Sequence, residues 1–218
     1  MLNVAVSRAK NHFLVFGNMN LFRPGATDTP AGDLGKLLFR KPDNEISNDF
    51  LFAGNEINYF DQEPINRISD LNKHRLSLKK AIETAEKRLV IVSPFISINA
   101  LQDDNIPSLL GAAIQRGVEI LIFTDSDLDM VNGSLKPHAA MGRQALIDAG
   151  AILKIIPGIH NKTVILDRKV LIEGSFNWLS AVRDENSSYH RQETSIVLKE
   201  PYCEQFITRA EIELGIKK

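Results

Sequence analysis

Apolar residues in the second half of the chain occur in short runs separated by turn residues. The runs 89–92, 118–125 and 152–156 are rich in Val, Ile and Leu, which is typical of buried β-strands. The segments 106–116 and 138–149 between them are predicted to form helices. A strand, a helix and a second strand in this order predict parallel strand pairing.

Two more helices are predicted at the edges of this region. One begins at Ser69 as its cap, runs to about residue 87, and has four apolar residues on one face: Leu71, Leu78, Ile82 and Ala85. The other spans 202–215 and closes the chain. The preceding segment, from about residue 19 to residue 68, holds many Pro and Gly residues and is predicted to be an irregular connection.

The composition predicts one globular core with an extension. The chain has 218 residues, of which 44% are hydrophobic, so it is not disordered, fibrous or built on disulfides. Its single cysteine, Cys203, cannot form an internal disulfide, and the amino terminus lacks the pattern of a signal peptide. A reducing cytoplasm is the predicted location. Because the longest apolar runs are far shorter than about twenty residues, no membrane anchor is predicted.

The charge of the chain does not identify a partner by itself. The formal net charge is −1, so the chain is not basic overall as many nucleic-acid-binding proteins are. Isolated basic pairs such as Lys79-Lys80 and Lys87-Arg88 are typical of a solvated surface.

Polar residues that could take part in catalysis occur on two further predicted strands, 159–167 and 170–178. Side chains alternate along a strand, so His160 and Lys162 share one face of the first strand, and Ser175 and Asn177 share one face of the second. A hairpin that turns at Arg168-Lys169 would place His160 opposite Asn177 and Lys162 opposite Ser175. The pattern therefore predicts four polar groups on one patch.

This set of groups suits a phosphoryl ligand. Lys162 supplies positive charge, and Ser175 and Asn177 supply hydrogen-bond donors to a group that becomes more negative at the transition state. His160 supplies a nucleophile or a group that transfers protons near neutral pH. A hydrolase triad of Ser175, His160 and an acid is disfavoured, because the sequence around Ser175 lacks the Gly-x-Ser-x-Gly elbow.

The same residues resemble the signature of the phospholipase D superfamily, His-x-Lys-x4-Asp-x6-Gly-Ser-x-Asn. The matching positions are His160, Lys162, Asp167, Gly174, Ser175 and Asn177. Glu193, just before a predicted strand at 194–198, falls where that superfamily has a further acidic residue. The resemblance implies an α/β fold, a mixed β-sheet with helices on both faces. It also implies phosphodiester chemistry, since the superfamily includes phospholipases, phosphatidyl transferases and metal-independent nucleases.

The resemblance also implies a mechanism that needs no metal or other cofactor. Members use two motifs per active site, whereas this chain has one, so a homodimer is expected in which each chain contributes His160. One His160 would attack phosphorus and the other would protonate the leaving oxygen. Glu193 would orient His160, and Lys162, Ser175 and Asn177 would hold the phosphoryl oxygens. Asp167 faces away from His160 on a regular strand, so a supporting role is predicted for it.

Several other polar and aromatic residues are given structural roles. The acidic run 125–129 is interpreted as an exposed loop, or as a border of the substrate groove. His138 and His190 are predicted to be surface residues, and the histidines show no zinc-binding spacing. Phe176 and Trp178 are predicted to pack beneath the hairpin.

The first residues resemble the last motif of superfamily 1 helicases. The run Asn3-Val4-Ala5-Val6-Ser7-Arg8-Ala9-Lys10 precedes an apolar strand at 13–18, and Arg8 matches the position that reaches the γ-phosphate of ATP in that family. The chain has no Gly-x4-Gly-Lys-[Ser/Thr] phosphate loop, so no ATPase activity is predicted. A helicase remnant at 1–35, a connection at 36–68 and a phospholipase D-like domain at 69–218 are therefore predicted.

Three functions follow from these observations. The first is a metal-independent nuclease that acts on DNA or RNA, as the carboxy-terminal part of a helicase–nuclease. The second is a lipid-directed phospholipase or phosphatidyl transferase, disfavoured because no amphipathic membrane-binding segment is visible. The third is a non-catalytic remnant that binds nucleic acid or a partner.

Overall fold

The computed structural model describes residues 30–38 and 63–216. The chain divides into two units, Met1–Ile57 and Asn58–Lys218. In the first unit, helix α1 spans Pro30–Leu38. Arg8 and the helicase-like motif lie outside the described residues, as does most of the predicted connection, so these predictions stay predictions.

The second unit alternates strands and helices along most of its length. Its elements are β1 (Ile65–Ile68), α2 (Leu71–Thr84), β2 (Arg88–Val92), α3 (Ile98–Asp103), α4 (Ile106–Gln115), β3 (Glu119–Thr124), β4 (Met130–Val131), β5 (Ser134–Leu135), α5 (Pro137–Asp148), β6 (Ile152–Ile155), β7 (Thr163–Leu166), β8 (Val170–Gly174), β9 (Ser195–Lys199) and α6 (Glu204–Glu213).

Seven of these strands form one mixed sheet in the order β1-β9-β8-β7-β2-β3-β6. Strands β2, β3 and β6 are parallel to one another, as the strand–helix–strand pattern predicts. The remaining neighbours, from β2 through β7, β8 and β9 to β1, are antiparallel. The predicted α/β fold with a mixed sheet is confirmed.

Both faces of the sheet are buried. Leu89 and Ile91 of β2 belong to a core cluster with residues of α2 and α4, including Leu78. Val90 on the same strand faces the other way and belongs to a second cluster with Ile207 of α6. Because strand side chains alternate, the nearly continuous apolar sequence of β2 fits a strand covered by helices on both faces.

Helix α2 begins one residue later than predicted. Asp70, not Ser69, is its cap, and the Asp70 carboxylate accepts a hydrogen bond from the Lys73 backbone N–H at 2.7 Å. The helix ends at Thr84 rather than near residue 87. Helix α3 was not predicted, because a six-residue helix is too short to show helical periodicity.

The predicted boundary of the connection at residue 68 is wrong. Residues Ile65–Ile68 form β1, which pairs with β9 at the edge of the sheet. The two isoleucines of its Ile-Asn-Arg-Ile sequence are three positions apart and lie on opposite faces, so the strand lacks the alternation by which half-buried strands are recognised. Only Ile68 is buried. The sheet therefore begins within the predicted connection.

Strands β7 and β8 form the predicted hairpin, but the predicted register is wrong by one residue. Leu166 pairs with Val170, so the loop contains residues 167–169 rather than Arg168 and Lys169 alone. The displacement continues along the hairpin, where the Gly174 N–H donates to the Lys162 carbonyl. Lys162 thus lies opposite Gly174 rather than Ser175.

Asp167 joins this hairpin loop to the segment that leads into β2. Its carboxylate accepts hydrogen bonds from the backbone N–H groups of Glu86, Lys87 and Arg88 at 2.8–2.9 Å. Partial burial by itself raises the pKa of Asp167, but the three N–H donors outweigh it, and the pKa lies below its ordinary value. Asp167 is at the end of β7 remote from Lys162, so its contacts are structural.

Gly174 ends β8 where the chain leading into β9 comes very close. A Cβ atom at position 174 would lie 2.1 Å from the Thr194 carbonyl oxygen and 2.5 Å from Ser195 Cα. Both are backbone atoms, which cannot move aside as a flexible side chain can. The glycine of the motif is therefore required by the close approach of two strands.

Replacing Asp167 with Asn should lower the free energy of unfolding by about 1–3 kcal/mol at neutral pH, because the charged acceptor of several N–H groups is lost. The folded-state pKa of Asp167 is depressed, so its contribution is present above the unfolded-state pKa and is lost as the pH falls through the folded-state pKa. Urea unfolding at pH 7 and at about pH 3 should show a difference that shrinks in acid. Asp127→Asn, at an exposed carboxylate, is the control; equal stability of Asp167→Asn and wild type at pH 7 would contradict this role.

Replacing Gly174 with Ala should lower the free energy of unfolding by about 3 kcal/mol or more, because the new methyl group must displace backbone. Gly111→Ala is the matched control, since its Cβ would be 4.0 Å from the Ala149 carbonyl oxygen and Ala favours helices. Thermal or denaturant unfolding measures both variants. A Gly174→Ala protein as stable as Gly111→Ala would show that the two strands are not this close.

Candidate active site

Three strand ends bring the predicted site residues to one edge of the sheet. His160 and Lys162 lie just before β7, Ser175 and Asn177 follow β8, and Glu193 precedes β9. These strands are antiparallel neighbours, so the start of β7, the end of β8 and the start of β9 share an edge. The structure therefore brings the five residues to one edge, although they lie beyond the strands rather than on them.

Lys162 is a nearly buried cation beside the imidazole of His160. Lys162 is 8% exposed, and its Nζ donates to the His160 carbonyl oxygen at 2.7 Å. Nζ is also 3.0 Å from His160 Nδ1 and 3.4 Å from Nε2. Burial lowers the pKa of Lys162, and the nearby Glu193 carboxylate offsets part of this effect.

His160 is exposed, and its ring is accessible to a ligand. The ring packs edge-on against Phe95, with 6.5 Å between ring centroids and 83° between ring planes. Lys162 Nζ lies within 3.4 Å of both ring nitrogens, which one in-plane hydrogen bond cannot give, so the ammonium lies against the face of the ring and leaves the in-plane lone pair open. A neutral imidazole is the form that can act as a nucleophile.

Glu193 is half-buried and close enough to two basic groups to affect their charge. Its carboxylate raises the pKa of Lys162 and of His74, in each case against the larger lowering effect of burial. Across residues 63–216, the polar contacts of the His160 ring nitrogens are with Lys162 Nζ and not with Glu193. The orientation of His160 by Glu193 therefore stays a prediction.

The Ser175 hydroxyl is held by the backbone of Thr194, the residue that follows Glu193. Its Oγ accepts from the Thr194 backbone N–H at 3.0 Å and donates to the Thr194 carbonyl oxygen at 3.4 Å. The predicted position opposite Lys162 is wrong because of the register of the hairpin. Ser175 is nonetheless exposed at the same edge of the sheet.

Asn177 is half-buried and has an acceptor to spare. Its Oδ1 atom is buried without a hydrogen-bond partner among the described residues. Buried polar atoms are normally satisfied, and exceptions cluster at functional sites. The orphaned acceptor marks Asn177 as a candidate functional residue.

A buried ion pair fixes the segment around Asn177. Arg183 Nε donates to Asp104 at 2.7 Å, and its Nη atoms donate to the carbonyl oxygens of Trp178 and Ala181. The guanidinium also lies 5.4 Å from the centroid of the Phe176 ring. Burial by itself raises the pKa of Asp104, but the Arg183 charge and further basic groups outweigh it, and the pKa is lowered. The charged pair thus positions the loop that carries Asn177.

His74 is a buried residue that sequence reasoning missed. Its Nδ1 is 2.7 Å from the Asp70 carbonyl oxygen, which can only accept, so Nδ1 carries the proton and Nε2 accepts from the Ser195 hydroxyl at 3.0 Å. The ring stacks on Phe176 at 4.3 Å, and burial lowers its pKa. Position 74 shares the apolar face of α2 with Leu71 and Leu78, a spacing that could have indicated burial.

The interpretation of residues 125–129 as an exposed loop is wrong for two of its carboxylates. Asp125 is 2% exposed and Asp129 is 3% exposed. Asp125 accepts from three backbone N–H groups, one of which belongs to Gly158, in the turn that leads to His160. Burial alone raises the pKa of Asp125, but these donors outweigh it and the pKa is lowered. Asp125 thereby positions the segment that carries His160.

Phe176 and Trp178 are buried, which confirms that they pack in the core. His138 is exposed as predicted, and His190 is half-exposed. Within the two described ranges, no cluster of three or more His, Cys, Asp or Glu side chains is arranged to hold a metal ion.

The chain has relatives of known name and solved structure. It is 28% identical to a phospholipase D of Rickettsia prowazekii (strain Madrid E) over 177 residues, which are 75% of this chain and 78% of that protein. It is 33% identical to the mitochondrial cardiolipin hydrolase of Canis lupus familiaris over 106 residues, 47% of this chain and 39% of that protein.

The fold is similar to that of Nuc, a phospholipase D family member from Salmonella typhimurium. The TM-score is 0.52 at 17% sequence identity, and the match covers 68% of this chain and 91% of Nuc. A likeness at this identity shows the fold, the mixed sheet with helices on both faces. Residues 78–212, more than half of the chain, match the model of a family described as the cardiolipin synthase, PLD-like domain, and the chain belongs to this phospholipase D-like family.

Proposed function

We propose that this protein is a metal-independent phosphodiesterase that cleaves nucleic acid through a covalent intermediate on His160. The observation that carries the proposal is the exposed imidazole of His160 beside the nearly buried ammonium of Lys162, 3.0 Å away. Membership of the phospholipase D superfamily supports phosphodiester chemistry in general. The choice of nucleic acid as substrate is supported by the helicase-like residues around Arg8.

The proposed reaction has two steps. In the first, the unprotonated ring nitrogen of His160 attacks phosphorus, and the bond from phosphorus to the leaving oxygen breaks as a second imidazole gives that oxygen a proton. In the second, water attacks the phosphohistidine, its proton passes to the second imidazole, and the bond to His160 breaks. Lys162 and the Asn177 amide stabilise the charge on the phosphoryl oxygens. Ser175 can exchange its long 3.4 Å hydrogen bond for one to the substrate.

The second imidazole comes from another copy of the chain in this proposal. The chain carries one motif, and His74 cannot serve because it is buried and both of its ring nitrogens are engaged. Two copies related by a two-fold axis would present two His160 rings to one phosphoryl group. His190 is the alternative source within one chain, and a His190→Ala variant separates the two arrangements.

Lipid phosphodiester hydrolysis is the second candidate. The names of the relatives favour it, since one is a phospholipase D and another a mitochondrial cardiolipin hydrolase. In the residues that the structure describes, no helix combines the length and apolar character needed to cross a bilayer. The substrate must therefore be decided by assay.

Purified chain in EDTA should cut a single-stranded oligonucleotide or plasmid DNA, and His160→Ala should reduce the rate by roughly 10³-fold or more, because the nucleophile is lost. The matched control is His138→Ala, at an exposed histidine in α5. Phosphatidylcholine vesicles are assayed in parallel. Cleavage of the lipid alone would favour the second candidate, and no cleavage of any substrate would contradict both and favour a non-catalytic protein.

Mixed dimers test whether the site is shared. Wild type and His160→Ala are unfolded and refolded together in equal amounts, and activity is compared with that of wild type at the same total concentration. If each site needs two copies of His160, about one quarter of the activity should remain, since about one quarter of the dimers contain two wild-type chains. A value of about one half, or a fully active monomer by solution mass, would contradict the shared site.

A further inference from the structure

A cavity of about 570 Å³ opens beside the candidate site. Its walls come from the start of α2, the segment after β8 and the loop 180–193. The lining residues used below are His74, Phe176, Asn177, Tyr189, Arg191 and Glu193. Asn177 and Glu193 also belong to the edge that holds His160 and Lys162, so a ligand in the cavity would adjoin a phosphoryl group there.

We propose that this cavity binds the nucleoside attached to the scissile phosphate. The inference rests on the proposed function and extends it by assigning a subsite for the base and sugar. Its volume lies within the range of roughly 300–1,000 Å³ that is usual for sites of small organic ligands.

The charges of the cavity favour a neutral ligand. The Asp70 carboxylate is engaged with the Lys73 N–H and ammonium, and Glu193 acts on the Lys162 ammonium. Glu185 and Arg191 then remain as one negative and one positive charge. A run of phosphates would need an excess of positive charge, and a cationic lipid headgroup would need an excess of negative charge. A nucleobase with its sugar is neutral and polar.

The rim of the cavity presents groups that stack on bases. Tyr189 is 75% exposed, so its ring is open to a ligand at this position. Arg191 uses Nη1 to hold the carbonyl oxygens of Ser188 and His190, which leaves its planar guanidinium partly available. Aromatic rings and guanidinium planes are the side chains on which unpaired bases stack.

The floor of the cavity consists of two rigidly held rings and one polar side chain. His74 and Phe176 are stacked at 4.3 Å, and both ring nitrogens of His74 are hydrogen-bonded, so this surface does not rearrange easily. Asn177, beside them, carries the buried Oδ1 with no partner among the described residues.

The test compares a labelled oligonucleotide with a strand of the same length whose nucleotides are abasic. Binding is measured by fluorescence polarisation on the His160→Ala protein, so it does not depend on turnover. The base-containing strand should bind more tightly, and Tyr189→Ala should weaken its binding by roughly 10-fold or more while the abasic strand is unaffected. Tyr189→Phe should retain the affinity, because it retains the ring.

Tyr202→Ala, at an exposed tyrosine before α6, is the matched control and should change neither affinity. Equal affinity of the two strands, or an equal effect of Tyr189→Ala on both, would overturn the nucleoside subsite. So would a Tyr189→Ala effect on cleavage of phosphatidylcholine vesicles without one on the oligonucleotide. The proposed function is tested separately, by cleavage. It fails if wild type cuts no strand, or if wild type cuts a strand and His160→Ala cuts it at the same rate.

Discussion

The antiparallel pairing of β7 with two neighbours, β2 and β8, is the constraint on which the candidate site depends. Thr163, the first residue of β7, pairs with Val92 on one side and with Glu173 on the other. This pairing fixes the start of β7 beside the ends of β2 and β8. Because His160 and Lys162 immediately precede Thr163, their place at this edge follows from the backbone hydrogen bonds of the sheet. Two buried helical layers then prevent the strands from slipping.

Buried carboxylates hold the loops of the site in the same way at two places. Asp125 accepts the N–H of Gly158 before His160, and Asp104 holds Arg183 behind Asn177. In each case a charge is removed from water only where several donors compensate it. A site of this kind is organised before the substrate arrives, which is what stabilisation of a phosphoryl transition state requires.

Much of the fold and the residues of the site could be predicted from the sequence, and the failures have physical reasons. The longer strands and helices of the second unit follow from apolar periodicity, whereas β1, α3, β4 and β5 are too short to show it, and the motif residues follow from their spacing. The hairpin register could not be read, because Asp167 and Arg168 both adopt positive φ, 50° and 61°, without being Gly or Asn.

Hydrogen bonds between side chains that are far apart in the sequence could not be predicted either. His74 bonds Ser195, 121 residues away, and Arg183 bonds Asp104, 79 residues away. Each of these polar residues resembles a surface residue until its partner is known. The cavity beside Asn177 likewise exists only after the loop 180–193 has folded against α2.

The most direct test of the account is to trap the covalent intermediate. The protein is mixed with substrate in EDTA, quenched in alkali, where phosphohistidine survives, digested and examined by mass spectrometry. The account predicts a phosphoryl-linked substrate fragment on the peptide that contains His160. Substrate turnover with no adduct at His160, or with the adduct on another residue, would contradict it.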